Sequence, residues 1–496
     1  MAAISLPDNP SLERMRRRAR ALQQAVRAGD EAALERIAAR HPDGAPNRPE
    51  TFPLSAAQLV IARECGFASW PRLKHYFDVA DEYRWDAAPN DPYDDPADRL
   101  CELACLTYAD DGPDRWAQAR RLLADHPGLT RANVWAAAAA ADADAVRDFL
   151  GADPGLAHRR GGPRRWRPLY YLAYARLDVS AETVLTTARL LLDAGADPNE
   201  GYLWHGMPTP FTVLTGVFGE GEQGPERTPP HPHETALARL LLDAGADPND
   251  GQTLYNRMFR PGNDHLRLLL SYGLGRGDGG PWRARLGEAV GSPAELLRYQ
   301  LRWACCHGYL ERVELLADHG ADVSTPFDDG RTPAGHAARN GHAAIVDYLA
   351  SRGVAAPDLS PVDAFAGAAL RVDRPALDRL LARHPAVLEQ ARRDRPGLIV
   401  WAAAQGGTAA IALLAEHGFD VNALARTDGP VEQPWETALH HAAGTGNADQ
   451  ARLLLRLGAD PAVRDARFDA TPLGWAQYFG RQALVELLEP ITQERA

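Results

Sequence analysis

The stretch ETALHHAAGTGNADQARLLLRLGADP, residues 436–461, reads as two short helices separated by one glycine and closed by another. Thr437 stands just before the first helix, where its hydroxyl can accept an orphan backbone N–H. The second helix carries leucines at helical spacing, which predicts a buried seam. Gly458 follows these leucines and supplies a residue that tolerates positive φ where the helix ends. The stretch therefore predicts one compact pair of helices.

The same pattern returns elsewhere in the chain. It appears as ATPLGWAQYFGRQALVELLEP from Ala470, as RTPAGHAARNGHAAIVDYLASRG from Arg331, and as LRWACCHGYLERVELLADHGADV from Leu301. Thr332 and Thr471 take the capping position, each followed by a proline at the first helical turn, where a missing N–H costs nothing. The alanine-rich first helices are thin enough for neighbouring copies to stack closely. We therefore predict a series of stacked helix pairs.

Towards the N-terminus the copies diverge, but their phase persists. The segment ARLLLDAGADPN occurs identically at residues 188–199 and 238–249. The first helices of these two copies are predicted to start near Arg167, which replaces the usual capping threonine, and at Thr209. Counting the divergent copies gives about 11 helix pairs between Asp98 and the C-terminus, each close to a period of about 33 residues once loops are discounted.

This unit resembles the ankyrin repeat, whose signature is T-P-L-H-x-A. The resemblance, of a bacterial type, implies an all-α solenoid of stacked helix-turn-helix repeats with loop or β-turn fingers. It also implies that His440, in the histidine position of the signature, is a structural hydrogen-bonding residue rather than a base. Such arrays present a concave face of first helices beside the fingers, and this surface suits the binding of another protein.

Three regions are expected. Residues 1–85 are predicted to form a helical N-terminal cap, because FPLSAAQLVIARECGFASWPRLKHYFD resembles a segment found ahead of bacterial ankyrin arrays and an array needs its end covered. Residues 86–97 form an acidic, proline-rich linker. Residues 98–496 hold the repeat array, which is interrupted by a long insertion at about 217–234.

Composition narrows the classes of function. The chain of 496 residues has 54 Lys and Arg against 66 Asp and Glu, a formal charge of -12, which disfavours general nucleic-acid or anionic-membrane binding. No apolar run approaches the roughly 18 residues of a membrane span, and the N-terminal stretch has no apolar region of a secretory signal. Five cysteines are no disulfide framework, which favours a reducing, cytoplasmic setting.

We find no motif of a nucleotide-binding loop, a hydrolase nucleophile or a dinucleotide fold, and no catalytic residue, cofactor or metal is predicted. The insertion holds His231 and His233, with His205 nearby, and these histidines together with Glu220 or Glu222 are the candidate ligands of a zinc site. The plainer interpretation is a rigid proline-rich loop packed along the repeat edge. The alternative functions are therefore a metal- or small-ligand-binding enzyme with its site in residues 200–285, and a self-associating structural protein.

The leading hypothesis is a non-enzymatic, monomeric scaffold for protein–protein interaction, since Tyr, Trp and Arg dominate interface energetics. The candidate contacts in the finger loops are Arg164, Arg165, Trp166, Tyr202, Trp204, His205, Phe327, Arg467 and Phe468. The candidate contacts on the first helices are Tyr170, Tyr174, Tyr255 and Arg257. The arginines around Trp166 suit a carboxylate-rich partner, a phosphate or RNA, or form a solvated loop. The aromatic rings either contact the partner or pack onto the neighbouring finger.

Overall fold

The computed structural model describes residue 6 and residues 10–85, 95–426 and 433–493. It divides into two compact units, Met1–Gln300 and Leu301–Ala496. Residues 86–94 of the predicted linker lie outside the described residues. At its end Asp95 caps the next helix, its side chain accepting the amide of Ala97 at 2.8 Å.

Four helices open the first unit: α1 (Leu12–Arg27), α2 (Glu31–Arg40), α3 (Leu54–Glu64) and α4 (Trp70–Tyr83). They share a core with Leu203, Trp282 and Leu286, which belong to the middle of this unit. Arg72 pairs with Glu288 at 2.6 Å on the same side. These contacts hold the region against a finger and a later helix, because that is where its apolar face finds buried partners. Its role as a cap of the array stays a prediction.

Five helix pairs follow in the first unit, and within each pair a first helix is followed along the chain by a second helix. They are α5 (Pro96–Ala104) with α6 (Pro113–Asp125), α7 (Val134–Ala139) with α8 (Ala143–Ala152), α9 (Pro168–Tyr174) with α10 (Ala181–Asp193), α11 (Val213–Phe218) with α12 (Glu234–Asp243), and α13 (Gly251–Met258) with α14 (Asp264–Ser271). The first helices α5, α7, α9, α11 and α13 stack in chain order. Helices α15 (Gly280–Leu286) and α16 (Pro293–His307) come next.

A small sheet forms one finger of the first unit. Strands β2 (Gly201–Trp204) and β3 (Pro210–Thr212) make an antiparallel hairpin, and β1 (Arg84–Trp85) pairs with β2 in parallel. Helix α11 starts after this hairpin and is capped by Thr212, whose side chain accepts the amide of Thr215. The start predicted at Thr209 is therefore corrected: Thr209 and Pro210 belong to the finger, because hairpin pairing extends the backbone there.

The second unit continues the repeat. Its helices are α17 (Leu310–Asp318), α18 (Pro333–Arg339), α19 (Ala343–Ser351), α20 (Pro361–Leu370), α21 (Arg374–Arg383), α22 (Val387–Asp394), α23 (Leu398–Ala404), α24 (Thr408–Glu416), α25 (Ala438–Thr445), α26 (Ala448–Arg456), α27 (Pro472–Tyr478) and α28 (Gln482–Gln493). First helices α23, α25 and α27 stack on one another, as do second helices α24, α26 and α28. Helix α22 lies outside the helix pairs.

The predicted capping pattern is confirmed in the second unit. The hydroxyls of Thr332, Thr437 and Thr471 accept backbone amides three residues further on, at 3.0, 3.3 and 3.2 Å. Gly458 ends its helix with a φ of 97°. His440 is buried, and its ring nitrogens contact Thr437 and the carbonyl of Ala470 at 2.8 and 3.0 Å. This histidine therefore ties its own helix to the next finger, the structural role that the resemblance implied.

The fold is an all-α solenoid, and the three short strands serve only to shape a finger of the first unit. Arg167 precedes α9 without making a side-chain cap, as its departure from the repeat pattern predicted. Among the described residues, every helix is too short or too polar to cross a lipid bilayer.

Candidate partner-binding surface

Trp166, one of the predicted contact residues, is fully buried. The Trp166 indole has no exposed surface, and its ring centroid lies 5.1 Å from Trp85, 4.6 Å from Tyr170 and 5.4 Å from Tyr174. A partner cannot reach a ring enclosed in this way. The expectation that Trp166 contacts a partner is therefore corrected: its ring holds the finger before α9 to the aromatic core, which is the packing alternative.

The tyrosines of α9 are equally enclosed. Tyr170 and Tyr174 stack with centroids 4.1 Å apart, and their hydroxyls donate to the carbonyls of Phe211 and Thr212 at 2.9 and 3.0 Å. Tyr202 is also buried, with its hydroxyl 3.2 Å from Glu200. Hydroxyls satisfied by main-chain groups of the next finger are structural contacts. The three tyrosines therefore join neighbouring repeats rather than a partner, which corrects the prediction.

The basic finger around Trp166 is mostly turned inward. The side chain of Arg164 is only 5% exposed and forms a bidentate ion pair with Glu102, whose Oε2 accepts its Nε at 2.8 Å. Its guanidinium also lies over Trp85 at 5.4 Å from the ring centroid. The prediction that Arg164 contacts a partner is therefore corrected, because its guanidinium is nearly buried and is paired with the carboxylate of Glu102. Arg165 is exposed at the tip of the same turn, with a positive φ of 53°.

The hairpin finger keeps two predicted residues near the surface. Trp204 and His205 are half-buried, and their ring centroids lie 4.9 Å apart in an edge-to-face arrangement. Trp204 also meets Trp85 edge to face at 4.9 Å, and the amide of His205 donates to the carbonyl of Trp85 at 2.8 Å. These contacts fix the finger and leave only part of each ring available to a partner.

The insertion at 217–234 covers the predicted contacts on α13. Arg257 pairs with Glu220 at 3.2 Å and with Glu234 at 3.3 Å, and its side chain is largely buried. The hydroxyl of Tyr255 donates to Glu222 of the same insertion. Because three carboxylates of the insertion occupy these side chains, Arg257 is corrected to an internal contact and Tyr255 is half-covered. The loop lies against the repeats, as the plainer interpretation predicted.

The histidines of this stretch do not converge on a metal site. The rings of His231 and His233 lie 5.9 Å apart, the Nε2 of His233 faces the carbonyl of Val179 at 2.6 Å, and Glu220 is engaged by Arg257. Burial lowers the pKa of His231 well below its usual value, so this ring is neutral at physiological pH. Within the described part of the chain, no group of three or more His, Cys, Asp or Glu residues is placed to hold a metal.

A cleft of about 350 Å³ lies in the first unit between the hairpin finger and the first helices. Its walls are mixed: Trp282 and Tyr255 contribute rings, while Asp250 contributes a buried carboxylate. Asp250 is committed to the fold, because it caps α13 through the amide of Thr253 at 2.8 Å and accepts the hydroxyl of Thr212. At the rim, Tyr299 is 45% exposed. The cleft is thus an open recess between the hairpin finger and α13.

The last finger of the second unit is built around one carboxylate. Asp465 is buried and accepts the amides of Arg467, Phe468 and Ala470 at 2.8, 2.6 and 3.1 Å. It also accepts the indole N–H of Trp475 at 3.0 Å, which fastens the finger to the first helix behind it. A loop whose amides converge on one anchored carboxylate is held in a single conformation. Its tip residues are therefore presented in a fixed arrangement.

That finger displays a cationic and aromatic surface. Phe468 is 61% exposed and Arg467 is exposed beside it, with the guanidinium 5.0 Å from the phenyl centroid. The Trp435 ring is contacted by two guanidinium groups, those of Arg426 at 4.3 Å and Arg467 at 4.5 Å. We call Arg426, Trp435, Arg467 and Phe468 the C-terminal finger patch. Arg and aromatic side chains in such a patch are the types that anchor protein interfaces.

Phe327 occupies a similar finger near α18 but is less prominent. It is half-buried, with its ring 5.4 Å from that of His336 and 5.9 Å from the guanidinium of Arg302. The ring therefore packs on its own repeat and keeps one face accessible. Of the predicted contacts, Arg467 and Phe468 are the most exposed side chains that share one finger.

Stacked helix pairs with threonine caps, thin alanine-rich first helices and projecting fingers define a helical-repeat protein with a recognition surface. Two stretches of the second unit match ankyrin repeats: residues 301–350 match the family model described as ankyrin repeats (many copies), and residues 399–493 match the model of ankyrin repeats (3 copies). The second unit therefore contains ankyrin repeats. Ankyrin repeats generally act as protein–protein interaction modules. No curated protein matches the chain.

Two residues of the C-terminal finger patch, Arg426 and Trp435, were not among the contacts predicted from the sequence. Trp435 stands immediately before the repeat motif that begins at Glu436, and Arg426 stands at the other end of the preceding loop. The isolated bridge between Ala425 and Glu436 brings the two ends of that loop together. The position of Trp435 just outside the repeat motif is the sequence signal that could have indicated an exposed ring. Its contacts with Arg426 and Arg467, however, depend on the stacking of neighbouring repeats.

Proposed function

We propose that this chain is a non-enzymatic scaffold that binds another protein through the fingers and concave face of its ankyrin array. The observation that carries the proposal is the C-terminal finger patch, in which Phe468 stays 61% exposed although it belongs to a rigidly hydrogen-bonded finger. A rigid, exposed anchor loses little conformational entropy when it binds, which favours affinity. In the first unit, the cleft beside Tyr299 supports the same function as a recess for a partner side chain.

The patch indicates the chemistry of the partner. Arg426 and Arg467 place two positive charges around Trp435, in a protein whose formal charge is -12. A local cationic surface on an acidic protein favours a partner segment with carboxylates beside an apolar or aromatic anchor. We infer a bacterial, cytoplasmic setting from the cysteine usage, since all five cysteines are free thiols, and from the resemblance of the N-terminal segment. We also propose that the protein is a monomer.

Affinity capture with the full chain tests this function. The double variant Arg467→Ala with Phe468→Ala removes the exposed anchor, whereas Tyr478→Ala removes another exposed aromatic ring of the same unit, 54% exposed on α27. We expect protein retained from a host extract by the wild type and by the Tyr478 variant to be lost from the double variant. With the purified partner, the Kd should rise about 30-fold or more, corresponding to a hot spot of about 2 kcal/mol.

Matching helical circular dichroism and melting temperature for the three proteins ensure that binding, and not folding, is compared. Equal capture by the wild type and the double variant would remove the finger patch as the interface. Light scattering at micromolar concentration tests the monomer: a dimer that dissociates in the double variant would instead assign the patch to self-association.

A further inference from the structure

A cysteine, a histidine and an aspartate line up in the second unit, away from the finger patch. The Sγ of Cys306 lies 3.4 Å from the Nδ1 of His336, and the Nε2 of the same ring lies 3.0 Å from an oxygen of Asp329. Cys306 lies in the last turn of α16, His336 lies in α18, and Asp329 belongs to the finger before α18. The three side chains come from different segments and form a continuous hydrogen-bonded chain.

The hydrogen bonds indicate which nitrogen of the His336 ring carries the proton. An aspartate beside Nε2 requires a proton on that nitrogen, so Nδ1 carries the lone pair and accepts from the thiol of Cys306. Burial lowers the pKa of His336 to about 4, against the opposing effect of Asp329. The imidazole is therefore neutral at physiological pH. A neutral imidazole oriented by a carboxylate and facing a thiol is the arrangement in which a histidine acts as a base towards cysteine.

The surroundings of the thiol are positively charged. Asp363 contacts Arg331, Arg339 and Arg395 at 3.3, 2.8 and 3.6 Å, and Asp329 contacts Arg302 at 3.3 Å. Four guanidinium groups thus face two carboxylates, which leaves an excess of two positive charges in this cluster. Arg302 and Arg331 keep 46% and 39% of their side chains exposed, so part of this positive charge faces solvent.

The thiol of Cys306 is protonated at neutral pH before it reacts. Burial raises the pKa of Cys306 to about 11, although Arg302, Arg339 and Arg395 act in the opposite direction. A free thiolate is therefore scarce at neutral pH, and nucleophilic attack requires a base that takes the proton during the reaction. His336 is in contact with the sulfur and is available for this transfer.

The other four cysteines provide an internal comparison. Cys65, Cys101, Cys105 and Cys305 are all buried, whereas Cys306 is partly exposed. Cys305, the chain neighbour of Cys306, is fully buried, and burial raises its pKa well above the usual value. Cys306 thus differs from the other four cysteines in being partly exposed and in having its sulfur next to a histidine ring.

We propose that Cys306 is a nucleophilic thiol that reacts with small electrophiles bearing a negative charge, with His336 as its base and Asp329 as the positioning residue. Arg302 and Arg331 attract the anionic group of the electrophile, and the sulfur attacks the electrophilic carbon. With a haloacetate, the S–C bond forms, the carbon–halogen bond breaks, the halide leaves with the bonding electron pair, and the thiol proton passes to Nδ1 of His336. No oxidant or reductant is consumed.

Alkylation of the full chain by iodoacetate and by iodoacetamide tests the site, with each cysteine followed by peptide mass spectrometry. The two reagents transfer groups of similar size and differ in charge. We expect Cys306 to be alkylated at least tenfold faster than Cys305 by either reagent. The ratio of the iodoacetate rate to the iodoacetamide rate at Cys306 should be higher in the folded protein than in the same protein unfolded in urea.

Three variants separate the roles. His336→Gln should lower the rate at Cys306 by about a hundredfold, the lower end of what general base catalysis contributes. His342→Gln is the matched control, because the Nε2 of His342 contacts the carbonyl of Cys306 at 2.9 Å and not its sulfur. Arg302→Gln together with Arg331→Gln should remove the preference for iodoacetate and leave the iodoacetamide rate nearly unchanged.

The pH profile distinguishes a base from a structural contact. Between pH 6 and 8 the wild-type rate should be flat, because His336 is already neutral there and the thiol remains protonated. In His336→Gln the rate should instead rise about tenfold per pH unit with the thiolate fraction. Asp329→Asn should give an intermediate slope, because it weakens the orientation of the ring.

Several results would overturn the proposal. They are alkylation of Cys306 no faster than that of Cys305, equal rates in His336→Gln and His342→Gln, or a reagent preference that does not change on unfolding. Each of these leaves the protein-binding function untouched, since the finger patch shares no residue with this cluster.

Discussion

The carboxylate of Asp465 accepts the backbone amide of Phe468 at 2.6 Å, so a buried acid holds the backbone of a residue whose side chain is 61% exposed. The same carboxylate receives the indole N–H of Trp475 from the helix behind the finger. Burial raises the pKa of Asp465, but the hydrogen-bond donors that converge on its carboxylate lower the pKa by more. The net pKa is therefore below its usual value. The position of the exposed Phe468 ring thus depends on a buried residue.

Replacing this acid tests the dependence. Asp465→Ala leaves three amides and an indole N–H without their acceptor, and we expect a loss of about 1–3 kcal/mol in the free energy of unfolding. Urea denaturation of the full chain measures it. Asp449→Ala is the matched control, because that carboxylate is 91% exposed and pairs only at the surface with Arg452; its effect should stay within about 0.5 kcal/mol. Equal stabilities of the two variants would refute the anchoring role of Asp465.

The glycine that ends α26 provides a second test. Gly458 has a φ of 97°, and a Cβ there would meet no atom within 4 Å, so any cost of substitution comes from the backbone alone. We expect Gly458→Ala to destabilise the protein by about 1–2 kcal/mol, the cost of placing a Cβ in the left-handed region. Thermal melting followed by circular dichroism provides the measurement.

A helical glycine of the same unit is the control. Gly474 lies inside α27, where a Cβ would be 3.6 Å from the Cβ of Ala470, an ordinary van der Waals contact. Gly474→Ala should therefore raise the melting temperature, by the equivalent of about 0.5–1 kcal/mol, because alanine favours the helix. If both variants moved the melting temperature in the same direction, the backbone argument for Gly458 would be wrong.

The repeat could be predicted from the sequence because each part of it is local. A capping threonine, a proline at the first turn and a glycine at the end act within one helix, so Thr332, Thr437 and Gly458 were placed correctly without knowledge of their neighbours. His440 was placed through the family resemblance. These local features recur at a regular spacing, and a recurring pattern identifies the fold more reliably than a single copy does.

The partners of the large side chains could not be predicted in the same way. Trp166 and Phe468 both occupy finger loops rich in arginine, yet one is fully buried and the other exposed. The difference arises from Trp85, which reaches Trp166 from a strand about 80 residues earlier along the chain. Likewise, Cys306 meets His336, which in turn contacts Asp329, only because two repeats stack. Contacts between distant segments leave no periodic signal in the sequence.

The buried acid of α20 yields a prediction for low pH. Asp363 contacts Arg331, Arg339 and Arg395, and although burial raises its pKa, these cations lower it to a net value below the usual one. A carboxylate whose pKa is lower in the folded state stabilises the fold above its unfolded pKa, and this stabilisation is lost as the pH falls through the folded value. The wild type should therefore lose stability below about pH 4.

Asp363→Ala should remove that part of the acid dependence and destabilise the protein at pH 7 by about 3 kcal/mol, because buried guanidinium groups lose their counter-ion. Urea denaturation at pH 3 to 7 checks both effects. Glu416→Ala, which breaks the exposed pair with Arg374 at 2.8 Å, should change neither by a measurable amount. An Asp363 variant as stable as the Glu416 variant at pH 7 would show that the arginines do not depend on this acid.

Glu200 should give the opposite dependence on pH. Burial raises the pKa of this carboxyl to about 7, although Arg167, 3.8 Å away, and the hydroxyl of Tyr202 favour the charged form. Its second oxygen, Oε2, has no hydrogen-bond partner among the described residues. A carboxyl whose pKa is raised on folding contributes its full stabilisation below the unfolded pKa, near 4.5, and this contribution disappears as the pH rises through the folded value.

The wild type should therefore lose on the order of 3 kcal/mol between pH 4.5 and pH 8 through this residue, the equivalent of a pKa raised from 4.5 to about 7. Glu200→Gln keeps the shape and cannot ionise, so its unfolding free energy should fall less over the same interval. Urea denaturation at half-unit steps of pH measures how the unfolding free energy of the wild type and of Glu200→Gln changes with pH. Glu182→Gln, at an exposed position in the first turn of α10, should keep the wild-type slope. Parallel curves for the wild type and Glu200→Gln would mean that Glu200 ionises in the folded protein as easily as in the unfolded chain.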